Sequence, residues 1–126
     1  MTTSAQRSLR VLIIEDDGII SMLLAELLAE LGHTVCAIAA TEADAVAAAT
    51  RERPELMIVD MRLGRGTGIS AVEEIFRTGP VAHVFLSGAP DAVQALRPDA
   101  VMVKKPFRQA ELVRAIELAL AAHAVS

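Results

Sequence analysis

The residues able to do chemistry stand where short apolar runs end. Glu15, Asp16 and Asp17 follow Val11-Leu12-Ile13-Ile14, Asp60 follows Leu56-Met57-Ile58-Val59, Ser87 follows the run from Val81 to Leu86, and Lys104-Lys105-Pro106 follows Ala100 to Val103. Crowded carboxylates cannot all stay ionised cheaply, and the remedies are a raised pKa or a bound divalent cation. Oxygen-only ligands favour Mg²⁺ over zinc, and Mg²⁺ held by one or two carboxylates keeps positions open for water and phosphoryl oxygens. A lysine nearby adds a point charge. The set is suited to phosphoryl transfer. A carboxylate attacks a phosphoryl group poorly because both are anions, so cation and ammonium must neutralise the phosphoryl oxygens while Asp60 attacks in line and becomes an acyl phosphate. Ser87 can donate a hydrogen bond to the new group and is the natural trigger, and Gly88 keeps the approach open.

Taken singly, these residues are ordinary. Asp60 alone reads as a turn former or helix cap, Glu15-Asp16-Asp17 as a solvated turn before a helix N-terminus, and Ser87 as a turn serine. Four strand ends carrying such residues weigh more than any one of them, provided that the chain's elements bring those ends together.

Short continuous apolar runs read as strands buried on both faces, which fits Val11–Ile14 and Leu56–Asp60. Ile19, Ile20, Leu23, Leu24, Leu27, Leu28 and Leu31 follow helical spacing, with Gly32 placed just past the end. Thr34–Ile38 reads as an edge strand. Thr41 with Asp44 resembles a capping box opening a helix to Arg53, which Pro54 stops. After the loop carrying Gly64, Gly66 and Gly68, a helix is predicted from Ile69 to Arg77, ended by Gly79-Pro80. Val81–Leu86 is a fourth strand. Asp91–Leu96 has room for a turn or two of helix before Arg97-Pro98. Ala100–Val103 is a fifth strand, and Arg108–Ala122 a closing helix with Leu112, Val113, Ile116 and Leu120 on its apolar face. This β-α order predicts an α/β domain with a parallel five-stranded sheet, right-handed crossovers and helices on both faces, a three-layer doubly wound arrangement with a shortened fourth helix. In such sheets ligands bind outside the carboxyl ends of the strands.

A chain of 126 residues fits one domain. Residues 1–9 are expected to be a loose tail and 10–123 the domain, with no effector domain. Hydrophobic residues make up 53% of the chain, but Glu26, Glu30, Glu111 and Glu117 interrupt the apolar stretches, so no membrane span is expected. One cysteine, Cys36, excludes an internal disulfide and suits a reducing cytoplasm. A net charge of −4, with neither Trp nor Tyr, argues against nucleic acid as a direct partner.

With these residues in place, the sequence from Arg10 to Ala122 resembles a receiver domain of a bacterial two-component response regulator, of the stand-alone, chemotaxis-regulator-like kind. The acid pair of that family matches Glu15 and Asp16, its phosphoacceptor Asp60, its hydroxyl residue Ser87, and its lysine before proline Lys105. The resemblance implies a flavodoxin-like fold with strand order 2-1-3-4-5 and a cis Lys105-Pro106 bond. It implies Mg²⁺ bound by Asp16, Asp60 and the backbone carbonyl of Arg62, with Glu15 acting through water and Asp17 an extra acid. It implies a histidine kinase or histidine phosphotransfer protein as phosphodonor. Output would pass through a downstream protein, a homodimer or competition for phosphate, using the face formed by the fourth helix, strand five and the last helix.

Three departures from the family pattern matter. The position often held by proline after Leu63 is Gly64, which predicts a more mobile loop. The Ser87-to-Lys105 spacing is shorter than usual by about one helical turn. The strand-five switch position, usually Tyr or Phe, is Met102, which can repack without a hydroxyl to satisfy.

Competing readings fare worse. A binding module with the same fold but no phosphorylation would not need every site residue. A haloacid-dehalogenase-like phosphohydrolase carries a second acid two residues after its nucleophile, where this chain has Arg62. A dinucleotide-binding domain needs a glycine-rich turn where Glu15-Asp16-Asp17 stands. His33, His83 and His123 lack partners at ligand spacing and read as structural or solvated. Cys36 is expected beside the sheet and Lys104 in solvent. Arg62 and Arg65 sit on the glycine loop, in solvent or facing an incoming phosphodonor.

Overall fold

The computed structural model describes residues 7–64, 66–90, 94, 95 and 97–125. The order of elements is β1 (Arg10–Ile14), α1 (Gly18–Glu30), β2 (Thr34–Ala39), α2 (Glu42–Glu52), β3 (Leu56–Asp60), β4 (Arg62–Leu63), β5 (Gly66–Thr67), α3 (Gly68–Phe76), β6 (Ala82–Ser87), β7 (Met102–Lys104) and α4 (Gln109–Val125). Five strands form one sheet in the order β2-β1-β3-β6-β7, and each neighbouring pair is parallel. This is the expected 2-1-3-4-5 order, because β4 and β5 pair only with each other.

The period of two along each strand divides the core. Val11 and Ile13 of β1 and Ile58 of β3 pack with Leu24 and Leu28 of α1 and Leu112 and Ile116 of α4. Leu12, Ile14, Met57 and Val59 turn to the other face, against Ala45 and Ala48 of α2 and Ala71, Val72 and Ile75 of α3. Small residues on α2 let that helix sit close to the sheet. Each fully buried Leu, Ile or Val adds about 1.5–3 kcal/mol of hydrophobic stabilisation, so the central strands are held from both sides. Their carboxyl ends, where the polar residues follow, are thereby fixed in space.

Several local features differ from the sequence reading. Leu9 is 2% exposed and belongs to the α1–α4 side of the core, and Arg7 pairs with Glu55, so the stretch expected to be a loose tail is already anchored from Arg7 onward. The last strand lies two residues beyond the predicted start at Ala100, because the Ala100 N–H closes a turn onto the Arg97 carbonyl. The loop after Asp60, expected to be mobile, contains an antiparallel hairpin pairing Arg62 with Thr67 and Leu63 with Gly66. Leu63 is buried and pins it to the core, while Gly64 takes φ +55°, a left-handed turn conformation that glycine adopts without strain. The predicted helix over 91–96 falls largely outside the described residues, as does Arg65. Lys105-Pro106 is cis, as the family resemblance implied.

Candidate functional site

The site begins with two buried acids at adjacent strand ends. Glu15 follows β1, where its N–H bonds to Ala39 at the end of β2, and it is 2% exposed. Asp60 ends β3 and is 5% exposed. β1 and β3 are neighbours in register, Ile14 beside Val59, so the two carboxylates meet. Lys105, beyond β7, reaches across and places Nζ 3.2 Å from Asp60 Oδ1 and 3.4 Å from Glu15 Oε1. Its own N–H is fixed to the Ser87 carbonyl at 2.9 Å.

One ammonium does not balance two buried carboxylates. Burial strips water from the Glu15 carboxyl, and its hydrogen bond to Asp60 favours the protonated form; the Asp17 N–H opposes this, Asp60's charge reinforces it, and Lys105 opposes it again. The net result pushes Glu15 up to about 7. Asp16 completes a trio with Glu15 and Asp60 in which a carboxylate oxygen from each lies within 4.8 Å of the others. Asp16 is exposed, and its Oδ2 accepts the Gly64 N–H at 2.9 Å. The donor set is oxygen alone, two acids are buried beside it, and a cleft of about 440 Å³ opens between them, lined also by Arg62, Ser87 and Gly88. These features suit a small hard divalent cation such as Mg²⁺.

Asp17 departs from this group. Its Oδ1 accepts the N–H groups of Ile19 and Ile20 at 2.9 and 3.1 Å, making it the N-cap of α1, where a carboxylate also suits the helix dipole. Ser87 is buried at the cleft and its Oγ accepts the Ala89 N–H at 2.9 Å. Arg62 is exposed, with its N–H on Asp60 Oδ1 at 3.2 Å. Met102 is half-buried beside Phe85 in the neighbouring strand and does not line the cleft. Lys104 is exposed, as expected.

The histidines serve structure where their contacts are described. His33 Nδ1 accepts the Leu9 N–H at 3.1 Å, and His83 stacks edge-on between Phe76 and Phe85. Cys36 is half-buried on β2, its Sγ 3.4 Å from the Val11 carbonyl.

The sequence reading passed over Gly68. A Cβ built there would collide with the Asp60 carbonyl oxygen and lie 2.8 Å from Val59 Cγ1. Only glycine lets the start of α3 press against the backbone of the central carboxylate. The signal was a third glycine in the loop, whose purpose depends on a contact the linear sequence does not display.

The strand-end carboxylates and lysine on a parallel sheet are matched by family membership. The response regulator receiver domain matches residues 11–117. The chain belongs to this family. Receiver domains are phosphoacceptor signalling modules of two-component systems rather than conventional enzymes, they generally bind Mg²⁺ at an acidic pocket, and they interact with histidine kinases or phosphotransfer proteins. The chain is 35% identical over 121 residues to the phyllosphere-induced regulator PhyR of Methylorubrum extorquens, covering 93% of this chain and 45% of that protein. It is 37% identical to the transcriptional regulatory protein PdtaR of Mycobacterium tuberculosis, covering 94% of this chain and 61% of the relative. The receiver thus spans only part of the length of these relatives. Among solved structures, the PhyR response regulator REC domain of Erythrobacter litoralis matches with TM-score 0.84 and 36% identity, over 94% of both chains. No helix among the described residues is long and apolar enough to cross a membrane.

Proposed function

We propose that Asp60 is the phosphoacceptor of this receiver and takes its phosphoryl group from a phosphohistidine on a histidine kinase or histidine phosphotransfer protein. The observation that carries this reading is the buried Asp60 carboxylate with the Lys105 ammonium 3.2 Å away at the mouth of an acid-lined cleft. Asp16, Asp60 and the Arg62 carbonyl would hold Mg²⁺, with Glu15 acting through water. When bound, the cation would neutralise charge on the phosphoryl oxygens. Asp60 attacks phosphorus in line; the new O–P bond forms as the P–N bond breaks, and the electron pair leaves on the donor imidazole, which takes up a proton. Lys105, with Nζ 3.2 Å from Asp60 Oδ1, supplies a further positive charge beside the nucleophile. Ser87 exchanges the Ala89 N–H for the phosphoryl group by rotating its hydroxyl, and Met102, paired with Phe85 two residues before Ser87, repacks in response.

The donor has a surface to meet. Ile19, Met22 and Leu23 on α1 are among the most exposed large apolar side chains. Beside them a groove of about 520 Å³ runs between α1 and Pro106-Phe107, sharing Ile20 and Lys105 with the cleft. Output passes by protein contact through the face near residues 94–95, β7 and α4, or through a second copy on that face, and the setting is the cytoplasm. Residues 10–123, with Leu9 packed beneath, are the functional unit.

The test is intact mass after incubation with a small-molecule phosphodonor and Mg²⁺. A single phosphoryl adduct that disappears with excess EDTA is expected. No adduct from this donor or from a phosphorylated histidine phosphotransfer protein would overturn the reading.

A further inference from the structure

The three carboxylates of the cleft are not held alike. Glu15 is fixed by Lys105 and by the Asp17 N–H at 3.2 Å, and Asp60 by Lys105 and the Arg62 N–H. Asp16 is exposed, and among the described residues its carboxylate accepts one hydrogen bond, from the Gly64 N–H. Left to itself, an exposed carboxylate samples several rotamers, and a small cation that demands near-ideal geometry binds poorly to a ligand that wanders.

The donor to Asp16 is, by contrast, well anchored. Gly64 sits on the hairpin whose first strand places Leu63 in the core. The return strand ends at Thr67, which caps α3 by accepting the Ser70 N–H at 3.0 Å. The first strand of the hairpin and the turn that follows it therefore offer two N–H groups two residues apart, Arg62 to Asp60 and Gly64 to Asp16, and so set the distance between the two carboxylates. Proline at position 64 could not make this contact, having no N–H and a φ fixed far from +55°.

We infer that Gly64 is a positioning residue of the cation site: its N–H holds the Asp16 carboxylate in place for the divalent ion, so that the hairpin tunes Mg²⁺ affinity. The inference rests on the proposed site. It predicts that Gly64→Pro weakens Mg²⁺ binding about tenfold, read by amide chemical shifts in a Mg²⁺ titration. Gly64→Asn, which keeps the N–H and tolerates positive φ, restores affinity to within about twofold.

A double-mutant cycle separates positioning from general damage. In an Asp16→Asn background, Gly64→Pro should cost nothing further, because the group it acts through is gone. Equal losses in both backgrounds would overturn the inference, as would unchanged Mg²⁺ affinity in Gly64→Pro or failure of Gly64→Asn to rescue. Should the wild-type protein show no Mg²⁺-dependent shifts around the cleft, the cation site itself fails and the positioning role falls with it. Wild-type binding with an unaffected Gly64→Pro removes only the role of Gly64. Amide spectra unchanged in the residues of α1 and α4 establish that each variant is folded.

Discussion

The two ends of the sheet handle charge in opposite ways. At the amino end, Glu55 accepts from the Arg7 guanidinium and the Arg10 N–H, Arg10 donates to both the carbonyl and the carboxylate of Glu52, and His83 is bonded to the Val81 carbonyl. The arginine–glutamate pairs lie near water, His83 is partly buried, and each group has an opposite or complementary partner. At the carboxyl end, two acids are buried and one ammonium serves both. Burial without full compensation is costly, and here it leaves Glu15 poised near neutrality. The amino end pairs its charges in the open, whereas the carboxyl end keeps buried charge incompletely compensated, as the proposed cation and phosphoryl site requires. That difference separates substitutions that cost function from those that cost stability.

The sharpest break should come at Asp60. Asp60→Asn is expected to abolish the phosphoryl adduct in intact mass, and with no divalent ion added to raise stability by about 1 kcal/mol by removing one of two adjacent buried charges. Thermal unfolding of the two proteins checks the second half, and a large destabilisation would mean that Asp60 is structural. Leu9→Ala should do the reverse. It opens a cavity in the α1–α4 side of the core and is expected to cost about 2–4 kcal/mol in urea unfolding while leaving the extent of phosphorylation unchanged under conditions where the protein is folded.

Gly68→Ala lies between the two. Its Cβ meets the Asp60 carbonyl and Val59, so the start of α3 must shift; about 1–3 kcal/mol of stability should be lost, together with slower phosphorylation, since the displaced backbone carries the proposed nucleophile. Loss of stability at an unchanged rate would show that α3 and Asp60 move independently.

The smallest effect is a pH dependence at the amino end. Burial lowers the pKa of His83, with the Val81 carbonyl opposing and Arg97 and His123 adding to the shift. The folded state therefore binds this proton less readily than the unfolded chain. His83 contributes stability that is complete above the unfolded value of 6.5 and is lost as pH falls below it. Glu15 works the other way, since its raised pKa lets the folded state take up a proton first. The comparison that isolates the histidine is wild type against His83→Leu. The wild-type midpoint should fall more between pH 7 and 5.5, and parallel curves would remove His83 as the cause.

Much of this was legible in the chain because it follows from pattern. The buried runs at Val11–Ile14 and Leu56–Val59 announced central parallel strands, and the polar residues after them pointed to the cleft they line together. What stayed hidden depends on contacts across the sequence. Asp17 has the same side chain as Asp16, and only the direction of α1 makes it a cap. The two-residue strands of the hairpin are too short for any periodicity to show. Leu9 looked like part of a polar tail until β1 placed it under the core. Ala100 and Val101 have strand-like composition, yet the turn onto Arg97 delays the ladder to Met102. Gly64 advertised a freer loop, whereas its N–H and positive φ instead serve a tight, anchored turn.

The identity of the atom that carries the phosphoryl group is the most direct test of the proposed mechanism. Borohydride reduces an acyl phosphate of aspartate to homoserine, so the phosphorylated protein can be trapped, cleaved and mapped by peptide mass. Conversion at position 60 alone, absent from unphosphorylated protein, is the predicted result. Conversion at Asp16 with none at Asp60, or a phosphoryl group retained on a histidine or on Ser87 with no reducible carboxylate, would contradict it.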